Sequence, residues 1–248
     1  MNYNPFSLEY KIVLITGASS GIGSAVAIEF SKMGAAVVIS GRNEKRLVET
    51  FRKLSPKDSH QYIVADLTTS EGLDLLVSTI PPIDGVVHCA GFLKKLPLKF
   101  IDEHAWNETL KINLIAPGLL SQKLIKTNKL KAESSVVFIS SIASFVASIG
   151  NISYMASKGA LNSFAKGMAL EMAKKKIRVN IIEPALIKTN LSESALSESE
   201  LATYLTKFPL GRFGYPEEVA YAAVFLISDA SKWITGTSIL IDGGVTLS

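Results

Sequence analysis

A single cysteine, Cys89, stands in a chain of 248 residues. That excludes an intrachain disulfide and any metal site built on cysteines. Histidine is nearly as scarce, with His60, His88 and His104 the whole supply. His88 and Cys89 are adjacent, and neighbours on a strand point to opposite faces. With no partner cluster in the sequence, no metal site is expected, and Cys89 reads as a small buried filler. An excess of one charge is also missing: 26 Lys and Arg against 22 Asp and Glu leave +4. The densest basic run, Lys174-Lys175-Lys176, falls at a helix end, where cations suit the dipole. Without an Arg-rich or aromatic-interleaved stripe, no nucleic-acid partner is expected. No apolar run reaches the roughly 18 residues of a membrane helix. The opening MNYNPFSLEYK lacks the basic and then apolar pattern of a signal peptide. The expectation is a cytoplasmic chain with no membrane partner.

What the chain has is apolar residues, at 48%, enough for one α/β domain over residues 1–248. Near-continuous apolar runs predict strands at 11–16, 35–40, 60–65, 83–89, 134–140, 177–183 and 237–242. Helical spacing predicts helices at 21–33, 43–54, 69–79, 103–128, 153–174 and 216–228. Such alternation predicts a doubly wound α/β fold with a mostly parallel seven-stranded sheet and helices on both faces. Ligands of such sheets bind at the carboxyl ends of the strands.

The segment 11–34, KIVLITGASSGIGSAVAIEFSKMG, reads as strand, glycine turn and helix. Gly17 allows a tight turn, and Gly21 and Gly23 let a phosphate and the next strand approach where a Cβ would intrude. A helix opening on small residues presents bare N–H groups and the positive end of its dipole. The turn from Gly17 through Ser19, Ser20, Gly21 and Ile22 to Gly23 is therefore a site for a pyrophosphate. Gly17-Ala-Ser19-Ser-Gly21 also matches the G-x-S-x-G nucleophile elbow of serine hydrolases. That reading needs a late histidine, and none lies in the last half of the chain. It also needs a loop upstream of the elbow for an oxyanion hole, and the turn follows the first strand.

The second strand ends Ser40-Gly41-Arg42-Asn43. An NAD site wants a carboxylate here for the ribose 2′-hydroxyl. Arg42, with Lys45 and Arg46 a turn on, suits a 2′-phosphate instead, so NADP(H) is expected. Asp66, after the third strand and before Leu67, either accepts from an adenine amino group or caps the next helix. The fourth strand ends in Cys89, Ala90 and Gly91, small residues that let something pack against them. Pro117 removes a helical donor and crowds the carbonyl of Asn113, which predicts a bend and a freed carbonyl able to hold water. Ser141 ends the fifth strand. Thirteen residues on, Tyr154-Met-Ala-Ser-Lys158 sets an ammonium one turn from a phenol, which predicts a lowered phenol pKa.

Together these residues resemble the short-chain dehydrogenase/reductase family, in its compact single-domain branch of the 3-oxoacyl-[acyl-carrier-protein] reductase type. The match spans Thr16-Gly17-x-x-x-Gly21-x-Gly23, Asp66, Ala90-Gly91, Asn113, Ser141, Tyr154-x-x-x-Lys158, and Pro184 with Thr189. It extends through Pro209-Leu-Gly-Arg-Phe-Gly214 to Asp242-Gly243-Gly244. The resemblance implies a Rossmann fold and a catalytic set of Asn113, Ser141, Tyr154 and Lys158. In it Tyr154 is the general acid/base, and Lys158 lowers its pKa and binds the nicotinamide ribose. Ser141 bonds the substrate carbonyl, and Asn113 holds a relay water. Pro184, Ile187 and Thr189 meet the carboxamide and a nearby phosphate. A homo-oligomer, tetramer or dimer, is implied through the helices at 103–128 and 153–174. Three positions depart from the family pattern. His88-Cys89 replaces Asn-Asn, Ala185 replaces the Gly after Pro184, and the glycine turn carries no basic residue.

The expected reaction is hydride transfer between NADP(H) and a carbonyl or secondary alcohol, with an acyl thioester one candidate substrate. The alternative is a non-enzymatic NADP(H)-binding regulator or scaffold, since a fold does not fix function. Specificity is expected in 190–208, where Leu191, Leu196, Leu201, Tyr204 and Leu205 suit an amphipathic lid and equally a surface helix.

Overall fold

The computed structural model describes residues 4–56, 59–189 and 197–247. Among the described residues, seven parallel strands form one sheet in the order β3-β2-β1-β4-β5-β6-β7. The strands are β1 (Ile12–Thr16), β2 (Ala36–Gly41), β3 (Gln61–Val64), β4 (Ile83–His88), β5 (Leu130–Ile139), β6 (Arg178–Pro184) and β7 (Ser238–Ile241). The helices are α1 (Gly21–Lys32), α2 (Glu44–Phe51), α3 (Ser70–Thr79), α4 (Glu103–Leu110), α5 (Ala116–Lys126), α6 (Ile152–Met172), α7 (Glu198–Leu205) and α8 (Pro216–Ile227). No described helix is long and apolar enough to cross a membrane.

Strand alternation divides the interior in two. Val13, Ile15, Val37, Ile39, Val87 and Val137 face one layer with Phe30 of α1 and Val219 and Ala223 of α8. Leu14, Val38, Val86, Val136 and Phe138 face the other, with Leu73 and Leu76 of α3, Leu120 and Leu124 of α5, and Leu161 of α6. Full burial stabilises each large apolar side chain by about 1.5–3 kcal/mol. The inner strands are therefore apolar on both faces, as their sequence predicts. The edges are not: Tyr62 and Val64 of β3 and Leu240 of β7, the two terminal strands, are exposed.

Two elements differ from expectation. β5 starts four residues before 134, with Leu130 beside Ile83 and then a register shift to Ser135 beside Gly85. Glu133, with φ at 63°, lies inside the displaced stretch. The helix expected at 103–128 is broken into α4 and α5 by a π-helical turn, Lys111–Ile115, in which the Ala116 N–H reaches the Lys111 carbonyl. Pro117, one residue further on, has no N–H to restore the α ladder. The wider turn is how the helix absorbs that gap.

The order reverses between β1 and β4, so the connections from their carboxyl ends diverge and open a crevice there. The turn after β1, the Cys89–Gly91 segment after β4, Ser141 after β5 and the loop after β6 all lie at this end of the sheet.

Candidate active site

Gly17 and Gly21 hold left-handed backbone, with φ at +64° and +54°. A Cβ on Gly17 would stand 2.6 Å from the Ala90 nitrogen, and one on Gly23 would stand 2.4 Å from the Gly17 carbonyl oxygen. The turn is thus packed against the end of β4 on one side and folded onto α1 on the other. The Thr16 hydroxyl accepts from the N–H groups of Cys89 and Ala90, at 3.2 and 3.4 Å, and fixes that junction. α1 opens at the exposed Ser20 with no side-chain cap among the described residues. α2, α3 and α4 do carry such caps, from Asn43, Thr69 and Asp102. Ser19 packs against Gly41, and the Ala18 N–H donates to the Ser40 carbonyl at 3.1 Å, which brings the turn to the foot of Arg42. The half-buried Ile22 packs on the core beneath.

Arg42 is exposed, and its charge reaches Asp66. Burial alone would raise the Asp66 carboxyl. Hydrogen bonds from the Thr68 N–H and hydroxyl, at 2.9 and 2.8 Å, with Arg42 and Lys111 nearby, hold it below its ordinary value. Asp66 does not cap α3, because Thr69 does, accepting from the Gly72 N–H at 3.0 Å. Of the two roles left open for Asp66, the helix cap is therefore excluded. Leu67 is half-buried against the second core layer.

Ser141, Tyr154 and Lys158 meet at the end of β5. The buried Lys158 ammonium donates to the Ile139 carbonyl at 2.9 Å and lies 5.6 Å from the centre of the Tyr154 ring. Gly91 completes the group: a Cβ there would sit 3.9 Å from Lys158 Nζ and 3.8 Å from Asn113 Oδ1. Ala90 and Gly91 are consecutive, so one peptide links the glycine turn to the lysine.

The phenol does not behave as the spacing predicts. Burial pushes Tyr154 up to about 12, with the Ser141 hydroxyl beside it pulling the other way. Burial also brings the Lys158 ammonium down, to about 8, while it donates to the Ile139 carbonyl. In this state the site favours a protonated phenol, a proton donor.

Asn113 is buried in the π turn. Its amide accepts from the Phe92 N–H at 2.8 Å, donates to the Phe92 carbonyl at 2.9 Å, and donates to Ser157 Oγ at 3.0 Å. It clamps the segment that follows Gly91 to α6, a role the sequence alone did not reveal. Ser157, whose hydroxyl donates to the Tyr154 carbonyl at 2.7 Å, was not singled out either.

His88 is buried, stacked on Phe138 with ring centres 4.7 Å apart, and its Nε2 is 3.2 Å from Ser121 Oγ. Burial pushes it down to about 3, so it is neutral. Burial also pushes the Cys89 thiol up, which leaves it an unreactive neighbour of Lys158. Among the described residues, no cluster of three His, Cys, Asp or Glu could hold a metal.

The loop after β6 crosses back over the turn. Pro184 ends the strand, Ala185 N–H donates to the Ile241 carbonyl at 2.9 Å, and the buried Ile187 pairs with Gly214. Thr189 reaches Gly21, where a Cβ would lie 3.2 Å from its methyl. Of the stretch 190–208, residues 190–196 lie outside the described residues, while Leu201, Tyr204 and Leu205 fall on α7. Glu200 of α7 pairs with Lys95 at 2.5 Å, tying that helix to the loop after Gly91.

A dinucleotide fits this crevice. The turn leaves no room for a Cβ at Gly17 or Gly23, and the first turn of α1 opens on the exposed Ser20 without a side-chain cap among the described residues.

A family model described as enoyl-(acyl carrier protein) reductase matches residues 17–246. A 3-oxoacyl-[acyl-carrier-protein] reductase of Rickettsia typhi is 35% identical over 237 residues, 96% of this chain and 97% of that protein. An NAD-dependent glycerol dehydrogenase of Listeria innocua is also 35% identical, over 98% of this chain and 96% of its own. Among solved structures, a provisionally assigned short-chain alcohol dehydrogenase from Sinorhizobium meliloti superposes with a TM-score of 0.92 at 29% identity, covering 99% of this chain and 100% of that one. A provisionally assigned NAD(P)-dependent gluconate 5-dehydrogenase from Beutenbergia cavernae, solved with NADP at low occupancy, gives 0.89 at 30% identity, with coverage of 99% and 100%. Fold and relatives agree: the chain belongs to the short-chain dehydrogenase/reductase family of oxidoreductases.

Proposed function

We propose that this chain is a one-domain NADP(H)-dependent reductase that converts a small-molecule ketone to a secondary alcohol. One observation carries the reading. The phosphate turn packs on Ala90, and a Cβ on Gly91, the next residue, would lie 3.9 Å from Lys158 Nζ, so one bound dinucleotide would reach Tyr154 and Ser141.

Gly17, Ser19, Ser20, Gly21, Ile22 and Gly23 would hold the pyrophosphate, and Arg42 the 2′-phosphate. Asp66 and Leu67 would meet the adenine. Cys89, Ala90 and Gly91 would line the middle of the cofactor, Lys158 its second ribose, and Pro184, Ile187 and Thr189 its far end. A reduced nicotinamide, when bound, supplies the hydride. Tyr154 gives its proton to the carbonyl oxygen as the carbon–oxygen π bond opens, leaving a phenolate. Burial keeps the phenol protonated at neutral pH, so the proton is present for that step. Ser141 donates a hydrogen bond to the oxygen as charge develops there. Lys158, whose ammonium lies 5.6 Å from the centre of the Tyr154 ring, would stabilise the phenolate as it forms. The Asn113 side chain keeps the Phe92 backbone against α6, and its backbone carbonyl would hold the relay water that re-protonates the phenol.

A 3-oxoacyl thioester is the first substrate to try, because the Rickettsia relative bears that activity in its name. The Listeria relative is NAD-dependent, so the preference for NADP(H) rests on Arg42. A homo-oligomer, tetramer or dimer, is part of the same reading.

The test is a screen of NADPH and NADH against acetoacetyl thioesters, keto-sugars and diketones, with Tyr154→Phe in parallel. The variant is expected to lose roughly 10²–10⁴-fold in turnover and to bind NADPH as the parent does. Turnover retained in Tyr154→Phe would overturn the assignment. NADPH binding with no turnover by the parent on any carbonyl would favour the regulator instead.

A further inference from the structure

Glu183 is a buried carboxylate at the end of β6 that the mechanism above does not use. Its Oε1 accepts two hydrogen bonds, from Ser144 Oγ and, at 2.6 Å, from Asn162 Nδ2. Burying a carboxylate costs free energy that an apolar residue at the same place would not, unless the charge is well partnered. Both partners belong to elements that carry the site. Ser144 closes the 3-10 turn that Ser141 opens: its N–H donates to the Ser141 carbonyl at 3.0 Å, and the Ala143 N–H donates to Ser141 Oγ at 3.2 Å. Asn162 lies one helical turn beyond Lys158 and two beyond Tyr154, on the same face of α6. Glu183 itself precedes Pro184 and the loop to Ile187 and Thr189.

One oxygen therefore fixes the distance between the Ser141 turn and the Tyr154–Lys158 face. We infer that Glu183 is a positioning residue, which holds Ser141 at the phenol by tying Ser144 to Asn162. The inference rests on the reading of Ser141 as the donor to the substrate oxygen. It goes beyond that reading, because no spacing in the sequence joins residues 144, 162 and 183. Both donors end on Oε1, so a glutamine amide oxygen in that place can accept both. Glutamine should preserve the geometry without the charge, and alanine should not.

The experiment compares the parent with Glu183→Ala, Glu183→Gln, Ser141→Ala and the pair Glu183→Ala with Ser141→Ala. Hydrogen–deuterium exchange of a peptide covering 140–147 reads the turn directly and needs no substrate. Steady-state reduction of the best carbonyl from the screen reads its effect on rate. Losing two bonds to a carboxylate should speed exchange in that peptide, and lower kcat, each by about tenfold or more. KM should stay within about threefold, and Glu183→Gln should recover both quantities. On the Ser141→Ala background, Glu183→Ala should cost nothing further, the non-additivity expected of residues that act as one. Parent-like exchange and kcat in Glu183→Ala would overturn the inference, as would a full loss that persists without Ser141. Should Glu183→Ala lose its cooperative melt, Ser144→Ala and Asn162→Ala each remove one donor and are judged by the same criteria. A parent that reduces no carbonyl would sink the functional reading instead, and exchange in the 140–147 peptide would still decide whether Glu183 holds the turn.

Discussion

Arg42 and His88 show what single residues contribute. Arg42 sits where a carboxylate would select the unphosphorylated dinucleotide, exposed and within electrostatic reach of Asp66. Charge-assisted bonds to a phosphate are worth about 1.5–3 kcal/mol, so Arg42→Ala should weaken NADPH at least about tenfold and leave NADH unchanged. Titration of both nucleotides by fluorescence checks this, and an equal loss for the two would reassign the residue. His88 has the opposite character, a buried base with no proton to carry. Burial takes it from 6.5 to about 3, so between those values the unfolded chain binds a proton that the folded chain refuses. Stability therefore rises with pH across that window, by up to about 1.4 kcal/mol per unit from this group alone. His88→Asn should flatten the stability curve between pH 6.5 and 4 in denaturant melts, and parallel curves would contradict the burial argument. Neither partner of His88 was legible, since Ser121 and Phe138 are far away in sequence and meet it only through the stacking of β4, β5 and α5. The state of Tyr154 was hidden for the same reason. Spacing shows that a lysine is near, and only packing shows that the phenol is buried and raised.

At the level of elements, the glycine turn was readable because three residues without side chains can only mean close approach. The structure identifies what approaches: Ala90 at Gly17, Thr189 at Gly21, and the turn's own carbonyl at Gly23. A Cβ at Gly23 would meet backbone at 2.4 Å, and backbone cannot step aside as a side chain can. Gly23→Ala should therefore destabilise the fold by more than the roughly 0.4–1 kcal/mol that such a replacement gains where a Cβ has room. It should also displace the first turn of α1 and abolish nucleotide binding, read by calorimetry on protein that still melts cooperatively. Retained affinity would show that the turn does not hold the pyrophosphate. The π turn at Lys111–Ile115 was half legible. Pro117 announces a defect near Asn113, but whether a helix kinks or widens depends on what packs against it. Here the wider turn carries Asn113 onto Phe92 and Ser157. The early start of β5 had no signal at all, because Lys131 to Ser134 carry no turn residues that would mark a register shift.

For the whole molecule, topology does the assembling. A parallel sheet of order 3-2-1-4-5-6-7 places every strand's carboxyl end on one side, and every candidate residue follows a strand end or lies on a helix packed over it. That much was legible from alternating apolar runs and helical periods. Glu183 was not, since one buried carboxylate in an apolar strand looks like an exception until Ser144 and Asn162 are seen around it. The account makes one demand of the molecule as a unit: its phosphate turn and its tyrosine must serve the same bound pair of reactants. The most direct measurement is a crystal structure with the oxidised dinucleotide and an unreactive ketone or alcohol analogue. The substrate oxygen should lie about 2.6–3.2 Å from both the Tyr154 and Ser141 hydroxyls, with the pyrophosphate over Gly17 to Gly23. A substrate oxygen bonded to neither hydroxyl, or a pyrophosphate seated elsewhere, would contradict the account.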